Sequence, residues 1–309
     1  MKNKVVVLGS SNTDMIIKVA RIPKPGETVL GGEFSIAAGG KGANQAVAAA
    51  RAGGKVVFIG RVGEDMFGEQ AVSGFVRDGI DVGNVIRDAG APSGVALIFV
   101  DDRGENSIAV ASGANANVSP SDVDAARKII ASAGILIMQL EIPVATVAAA
   151  AGIAASNGVE VILNPAPAQP LGRDLLNHIS ILTPNETEAE LLTGCRVDDE
   201  RSAAEAADIL HEMGVGNVLI TLGARGVFAA TPEFTGIIPG FRIDNPVDTT
   251  AAGDVFNGVL AVERAARKTF PEAIRFANAA AALSVMKLGA QTSAPYRKEI
   301  EAFLEERDS

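Results

Sequence analysis

The chain is poor in the residues that usually announce a redox, metal or disulfide protein. A single cysteine, Cys195, excludes an intrachain disulfide and a thiolate metal cluster. The two histidines, His178 and His211, lie far apart and lack zinc-ligand spacing, which also leaves a Ser-His-Asp reading without support. Basic runs are absent, and 27 Lys and Arg against 37 Asp and Glu give a net charge of −10, which argues against nucleic-acid binding. No apolar run approaches the ~20 residues of a membrane span; the alanine-rich Val144–Ala155 stretch is shorter and contains Thr146. Met1-Lys2-Asn3-Lys4-Val5 leads into an apolar run of strand length, too short for a signal segment. A soluble cytoplasmic protein that neither binds nucleic acid nor enters a membrane is expected.

What is present is an alternation of strand and helix signals with enough apolar residues, 48%, for one large core. Val5–Gly9, Val56–Gly60, Ile135–Gln139, Glu160–Leu163, Ile179–Thr183 and Asn217–Leu222 read as buried strands separated by helical sequence. One helix opens at Gly39-Gly40-Lys41-Gly42 and runs from about Asn44 to Ala52. Ser119-Pro120 caps another that carries Val123 and Ile129-Ile130. The pattern predicts an α/β fold: a doubly wound, mostly parallel sheet with helices on both faces, in a single domain over 1–309. Thr28–Ile36, Gly94–Asp101 and Asn106–Ser112 interrupt the rhythm, the last two joined by a turn at Asp102-Arg103-Gly104, and could form a small separate sheet.

The most informative segment is Asp248-Thr249-Thr250-Ala251-Ala252-Gly253-Asp254, followed by an apolar helical pattern. Small residues let backbone approach a ligand, and a helix start offers unpaired N–H groups to an anion. Asp254 there stands beside the anion, poised to accept a proton from an attacking hydroxyl, and the helix terminus should keep it ionised. The combination suits phosphoryl transfer to an alcohol. An acidic cap on an ordinary helix is the competing reading of the same residues.

In parallel sheets ligands gather where strands end at their carboxyl side. Asn12, Asp14, Glu141, Asn164, Asn185, Glu186, Glu188, Thr221 and Gly223 follow strands in this way, although Asn and Asp also serve as plain turn residues. Asn12, Asp14, Lys41, Asn44 and Glu141 mix donors and acceptors as a polyhydroxylated ligand requires. Gly39-Gly40 would let the main chain come close to it. A P-loop is excluded, because Ser35 holds the first glycine position and Gly42 replaces the Ser or Thr. Gly9-Ser10-Ser11-Asn12 lacks the glycine pattern of a dinucleotide binder, against a nicotinamide oxidoreductase. Thr221–Gly226 is a tight polar turn that could line a mononucleotide pocket.

Five segments together resemble the ribokinase-like carbohydrate kinases almost end to end. They are Ala38–Ala48, Ser93–Val100, Asn164-Pro165-Ala166-Pro167-Ala168, Thr183–Glu190 and Asp248–Asp254. The resemblance implies transfer of a phosphoryl group from ATP, with Mg²⁺, to the 5-hydroxyl of D-ribose. By position, Asn12, Asp14, Gly40, Lys41, Asn44 and Glu141 would bind the sugar, and Asp254 would be the base. Ala251, Ala252 and Gly253 would form the anion hole. Asn185, Thr221, Gly223, Ala224, Gly226, Gly253 and Asn278 would surround ATP, with Glu188 holding Mg²⁺ through water. A monovalent cation, usually K⁺, would sit among Asp248, Thr250, Ser284, Lys287, Gly289 and Ser293, where Lys287 can offer only its carbonyl.

Lid strands inserted at about 14–36 and 93–113 would close over the sugar and pair with a second subunit's lid in a homodimer. Val259 departs from the family's small residue behind Asp254, and Asn278 stands where histidine is frequent. Acceptors other than ribose (deoxyribose, fructose, a nucleoside) and a non-catalytic sugar sensor are the alternatives.

Overall fold

The first strand shows why the sheet is buried on both sides. Val6 and Leu8 point into one apolar cluster with Leu136, Met138 and Leu163, while Val5 and Val7 enter another with Ile135, Ile137 and Ile162. A strand whose alternate residues face two cores must be apolar throughout, which is what the Val-rich runs encode. The computed structural model describes residues 4–308; the Met1–Asn3 lead-in lies outside them.

Among the described residues the strands are β1 (Lys4–Leu8), β2 (Asn12–Val19), β3 (Glu33–Gly39), β4 (Lys55–Gly63), β5 (Asp81–Asp88), β6 (Gly94–Asp101), β7 (Asn106–Ala111), β8 (Ile135–Met138), β9 (Glu160–Leu163), β10 (Ile181–Leu182), β11 (Asn217–Thr221), β12 (Gly226–Ala230) and β13 (Thr235–Pro239). Nine form the main sheet in the order β13-β12-β11-β10-β9-β8-β1-β4-β5, parallel from β11 to β5 and antiparallel at the β11-β12-β13 edge. The other four form a separate sheet in the order β3-β2-β6-β7. The expected architecture is therefore present, including the small second sheet.

Several boundaries differ from the sequence reading for local reasons. β3 begins at Glu33 rather than Thr28, because Gly31 and Gly32 take positive φ values of 91° and 118° that strand pairing does not accommodate. The first helix starts at Lys41, three residues early, with Gly40 as its cap. The helix after Ser119 is broken at Ala126 into Pro120–Ala125 and Arg127–Ala131, where ψ of 4° takes the backbone off the helical path. Val259 packs fully buried on the Ala252–Ala265 helix, so that departure acts on the core.

No described helix is long and apolar enough to cross a membrane.

Candidate active site

β1, β8, β9, β10 and β11 run parallel, so their carboxyl ends share one edge of the main sheet. The helices Lys41–Arg51 and Ala252–Ala265 pack together over that edge. Ala251 caps the second with a left-handed φ of 60°, a strained value for a residue with a Cβ. The first-turn amides of Gly253 and Asp254 come ahead of the first helical bond, from Val255 N–H to Ala251 O at 2.8 Å. The Ala252 N–H instead meets Thr249 O at 3.3 Å, so of the expected anion hole of Ala251, Ala252 and Gly253 this amide is engaged within the turn.

Asp254 is buried, 5% exposed, and is held by two amides: Asn44 Nδ2 donates to Oδ2 and Gln45 Nε2 to Oδ1, each at 2.9 Å. Burial pushes its carboxyl upward, and the opposing pull of Lys41, Asn44 and Gln45 does not cancel that push. Burial thus opposes the helix terminus that is expected to keep Asp254 ionised. Desolvation dominates and makes Asp254 a stronger base than free aspartate.

Lys41 is the cation of the cluster. Asp254 chiefly, then Glu141 and Glu188, raise its ammonium against the burial that lowers it. Glu141 accepts from Ser10 Oγ at 2.5 Å and from the Lys41 amide at 2.9 Å, which ties the start of the first helix to the end of β8. A Cβ on Gly40 would lie 2.7 Å from the Asn12 amide, so glycine there is required first by the chain's own packing. Asn12 is buried, its Oδ1 accepting from Asn115 Nδ2 at 2.7 Å. The Asn44 Oδ1 is buried without a partner.

Asp14, on β2, is pushed up to about 6 by burial, then by Glu141 and Asp254. Because its folded pKa lies above the unfolded 3.8, the folded state binds the extra proton and stability falls as pH rises between these values. Asp14→Asn should remove that slope. In urea unfolding of the sugar-free protein, the variant should gain on the parent between pH 4 and 7, by at most about 3 kcal/mol, and less in proportion to residual solvent contact. A pH-independent difference would place the Asp14 carboxyl in a solvated setting.

Beyond Asp254 opens a cavity of about 510 Å³. Every residue expected around ATP lines it: Asn185, Thr221, Gly223, Ala224, Gly226, Gly253 and Asn278. Phe241 and Ile243 add an apolar wall that the sequence reading missed. Asn278 donates to the carbonyls of Pro239 (3.1 Å) and Ile238 (3.4 Å), so its amide fastens the end of β13 at the pocket wall. Glu188 also faces the cavity. One oxygen accepts from the Asn185 amide at 2.9 Å, and burial raises its carboxyl. A desolvated carboxylate at the edge of this cavity fits a hard cation held through water.

The expected monovalent-cation residues are gathered in part. The Asp248 carboxylate accepts from the amides of Thr250 and Gly289, both at 2.9 Å, and Val285 O accepts from the amides of Val247 and Asp248. The hydroxyls of Ser284 and Ser293 turn back onto Ala281 O and Ala290 O, and Lys287 Nζ pairs with Glu299 at 2.8 Å. Oxygen atoms of carbonyl, hydroxyl and carboxylate type are the right chemistry for an alkali ion, and Lys287 is left with its carbonyl to offer.

The sequence signature of the pfkB family carbohydrate kinases matches residues 2–297. The ribokinase of Haemophilus influenzae is 50% identical over 305 residues, 99% of each chain. The deoxyribokinase of Salmonella typhi is 37% identical over 301 residues, 97% of this chain and 98% of that one. The structure of Arabidopsis thaliana ribokinase complexed with ribose and ATP superposes with a TM-score of 0.91 at 35% identity, covering 99% of each chain. The Ala251–Asp254 turn, the carboxylate and lysine cluster and the cavity sit in a chain that belongs to the pfkB family of carbohydrate kinases.

Proposed function

We propose that this chain transfers the γ-phosphoryl group of ATP to the 5-hydroxyl of D-ribose, giving D-ribose 5-phosphate and ADP. The observation that carries the reading is the place of Asp254, a buried, strengthened base between the Asp14–Lys41–Glu141 cluster and the 510 Å³ cavity. The likeness to a ribokinase that binds ribose and ATP supports it. Asn12, Asp14, Gly40, Lys41, Asn44 and Glu141 hold the sugar, and the orphan Asn44 Oδ1 is satisfied by a sugar hydroxyl. Asn185, Thr221, Gly223, Ala224, Gly226 and Asn278 seat ATP beside the helix turn. As the sugar oxygen bonds to the γ-phosphorus and the bond to the ADP oxygen breaks, the hydroxyl proton passes to Asp254. Gly253 and the adjoining amides receive the phosphate charge.

Mg²⁺ held through water by Glu188 supplies charge neutralisation on the phosphates. A monovalent cation among the oxygens of Asp248, Thr250, Ser284, Lys287, Gly289 and Ser293 fixes the loop that carries Ala251–Gly253. The reaction places the enzyme in the cytoplasm, where ATP is available.

The small sheet forms the lid, and its exposed face suits pairing with a second copy: Phe34 is 63% exposed, and Ile36, Leu97, Ile108 and Val110 are about half exposed. Ile108→Glu together with Val110→Glu should convert a homodimer to monomer in light scattering. A parent that is monomeric at micromolar concentration would remove this part of the proposal.

The test of function is ADP formation from Mg-ATP, with and without K⁺, offering D-ribose, 2-deoxyribose, fructose and adenosine. Preference for ribose is expected, with a lower rate when K⁺ is omitted. Preference for deoxyribose would favour the second reading, which the deoxyribokinase likeness motivates. Sugar binding without ADP release would mark a sensor.

A further inference from the structure

The residues that hold Asp254 are themselves part of a buried side-chain chain. Gln45 Nε2 donates to Asp254 Oδ1 at 2.9 Å and to Asn164 Oδ1 at 3.2 Å, while its Oε1 accepts from Gln139 Nε2 at 2.5 Å. Asn164 Nδ2 donates to Thr183 O at 3.2 Å. Thr183 Oγ1 donates to Asn257 Oδ1 at 2.7 Å, and Asn257 Nδ2 donates to the Gly253 carbonyl at 2.8 Å. The path leaves the carboxylate of Asp254 and returns to the backbone of the residue before it, by way of the ends of β9 and β10, with Gln139 after β8 joining it at Gln45. Gln45 and Gln139 are fully buried, and Asn164, Thr183 and Asn257 nearly so.

The amide orientation of Gln45 is forced. A carboxylate can only accept, and Asn164 presents its oxygen because its nitrogen is engaged by Thr183 O, so the Gln45 nitrogen must face both. The facing Gln139 nitrogen takes the Gln45 oxygen. Asn44, by contrast, makes one bond with its nitrogen and leaves its oxygen without a partner. Of the two amides on Asp254, Asn44 is free to turn toward a ligand and Gln45 is not.

We infer that Gln45 is a positioning residue for phosphoryl transfer: it fixes the rotamer of Asp254 through Oδ1, leaves Oδ2 for the proton, and couples the base to the Gly253 carbonyl through Asn164, Thr183 and Asn257. The inference rests on the reading of Asp254 as the base. Gln45 touches neither reacting atom in this role. Its hydrogen bond also favours the charged form of Asp254, together with Lys41 and Asn44 and against burial and Glu141. Asp14 on β2 and Glu188 on the Glu186–Thr193 helix add like charge from the other sides.

The test compares Gln45→Met and Gln45→Glu in the full chain, with Asp254→Asn measured beside them. Gln45→Met should lower kcat about 10- to 30-fold with the KM for ribose little changed. It should also move the acid limb of kcat against pH upward by about one unit, since a donor to the carboxylate is gone. Gln45→Glu keeps the shape but replaces the donor with a second carboxylate, so its limb should move further. If Gln45 only filled space, Gln45→Glu would lie closer to the parent than Gln45→Met, and that order overturns the inference.

Gln45→Met leaves the Gln139 nitrogen and the Asn164 oxygen without their Gln45 partner. Should that variant not fold, Gln45→Met with Gln139→Leu removes the Gln45–Gln139 pair together and is read in the same way. Full activity in Asp254→Asn would remove the base reading itself. An inactive Asp254→Asn beside Gln45 variants with unmoved pH limbs would remove the role of Gln45 alone.

Discussion

Asp254→Asn should cut turnover by about 10³-fold while leaving the fold and ribose binding in place. An amide of the same shape removes the proton acceptor and tests whether the site accommodates the change. At Asp254 two donors arrive, from Asn44 and Gln45, and an asparagine there has only one oxygen to offer them. Gln45 cannot turn, so the new oxygen must face it and the new nitrogen must face Asn44. Asn44 can answer by rotating its amide, because its own oxygen has no partner to lose. The variant therefore rearranges one side chain and leaves one buried Asn44 atom unpaired, the nitrogen in place of the parent's oxygen.

Stability should then rise rather than fall. The parent's folded state holds Asp254 above its unfolded pKa of 3.8, so ionising it costs stability as pH climbs through that raised value. Asparagine carries no such cost, and the sugar-free variant should be the more stable protein at pH 8. Calorimetric titration with ribose, thermal unfolding and single-turnover phosphoryl transfer separate the effects. Turnover within tenfold of the parent would end the assignment of Asp254 as base.

The central strands were readable because burial on both faces leaves an apolar run between turn residues, as in Val5–Leu8 or Ile135–Met138. β5 carries no such mark. Asp81-Val82-Gly83-Asn84 is polar and glycine-broken because it lies at the sheet edge, with a register shift against β4. β2 was also hidden. Asn12 and Asp14 read as turn residues after β1, yet they open a strand of the small sheet that is only partly buried.

The site divides in the same way. Lys41, Asn44, Gly253 and Asp254 stand in short glycine-rich segments whose chemistry is local, and the structure brings them together. Gln45 lies beside Asn44 but reads as an ordinary helix position, because its partners are at Asp254, Asn164 and Gln139, 209, 119 and 94 residues away. The burial of Asp254 was hidden for a similar reason. A helix terminus is visible in sequence and contributes about 1 kcal/mol. Burial of a carboxylate depends on what folds over it, and at Asp254 it acts upward on the pKa.

Gly253→Ala should lower kcat/KM for ATP about 100-fold without destabilising the protein. Two glycines on the same helix make the comparison. A Cβ on Gly258 would meet Gln45 O at 2.4 Å and Ala48 Cβ at 2.9 Å, so that glycine exists to let the Lys41–Arg51 helix come close. Gly258→Ala should cost about 1–3 kcal/mol by forcing the helices apart. A Cβ on Gly253 would meet no protein atom within 4 Å, and its φ is not one that requires glycine. In a first helical turn alanine is the better residue by up to about 1 kcal/mol, so folding alone disfavours glycine here. Gly253 lines the 510 Å³ cavity, and under the proposed function a methyl group there would stand where a phosphate approaches its amide. Gly253→Ala should thus unfold at the same temperature as the parent or a few degrees higher and bind ribose normally. Its loss should be confined to ATP-dependent steps. Unchanged kinetics toward ATP would mean that the phosphates do not lie against this turn.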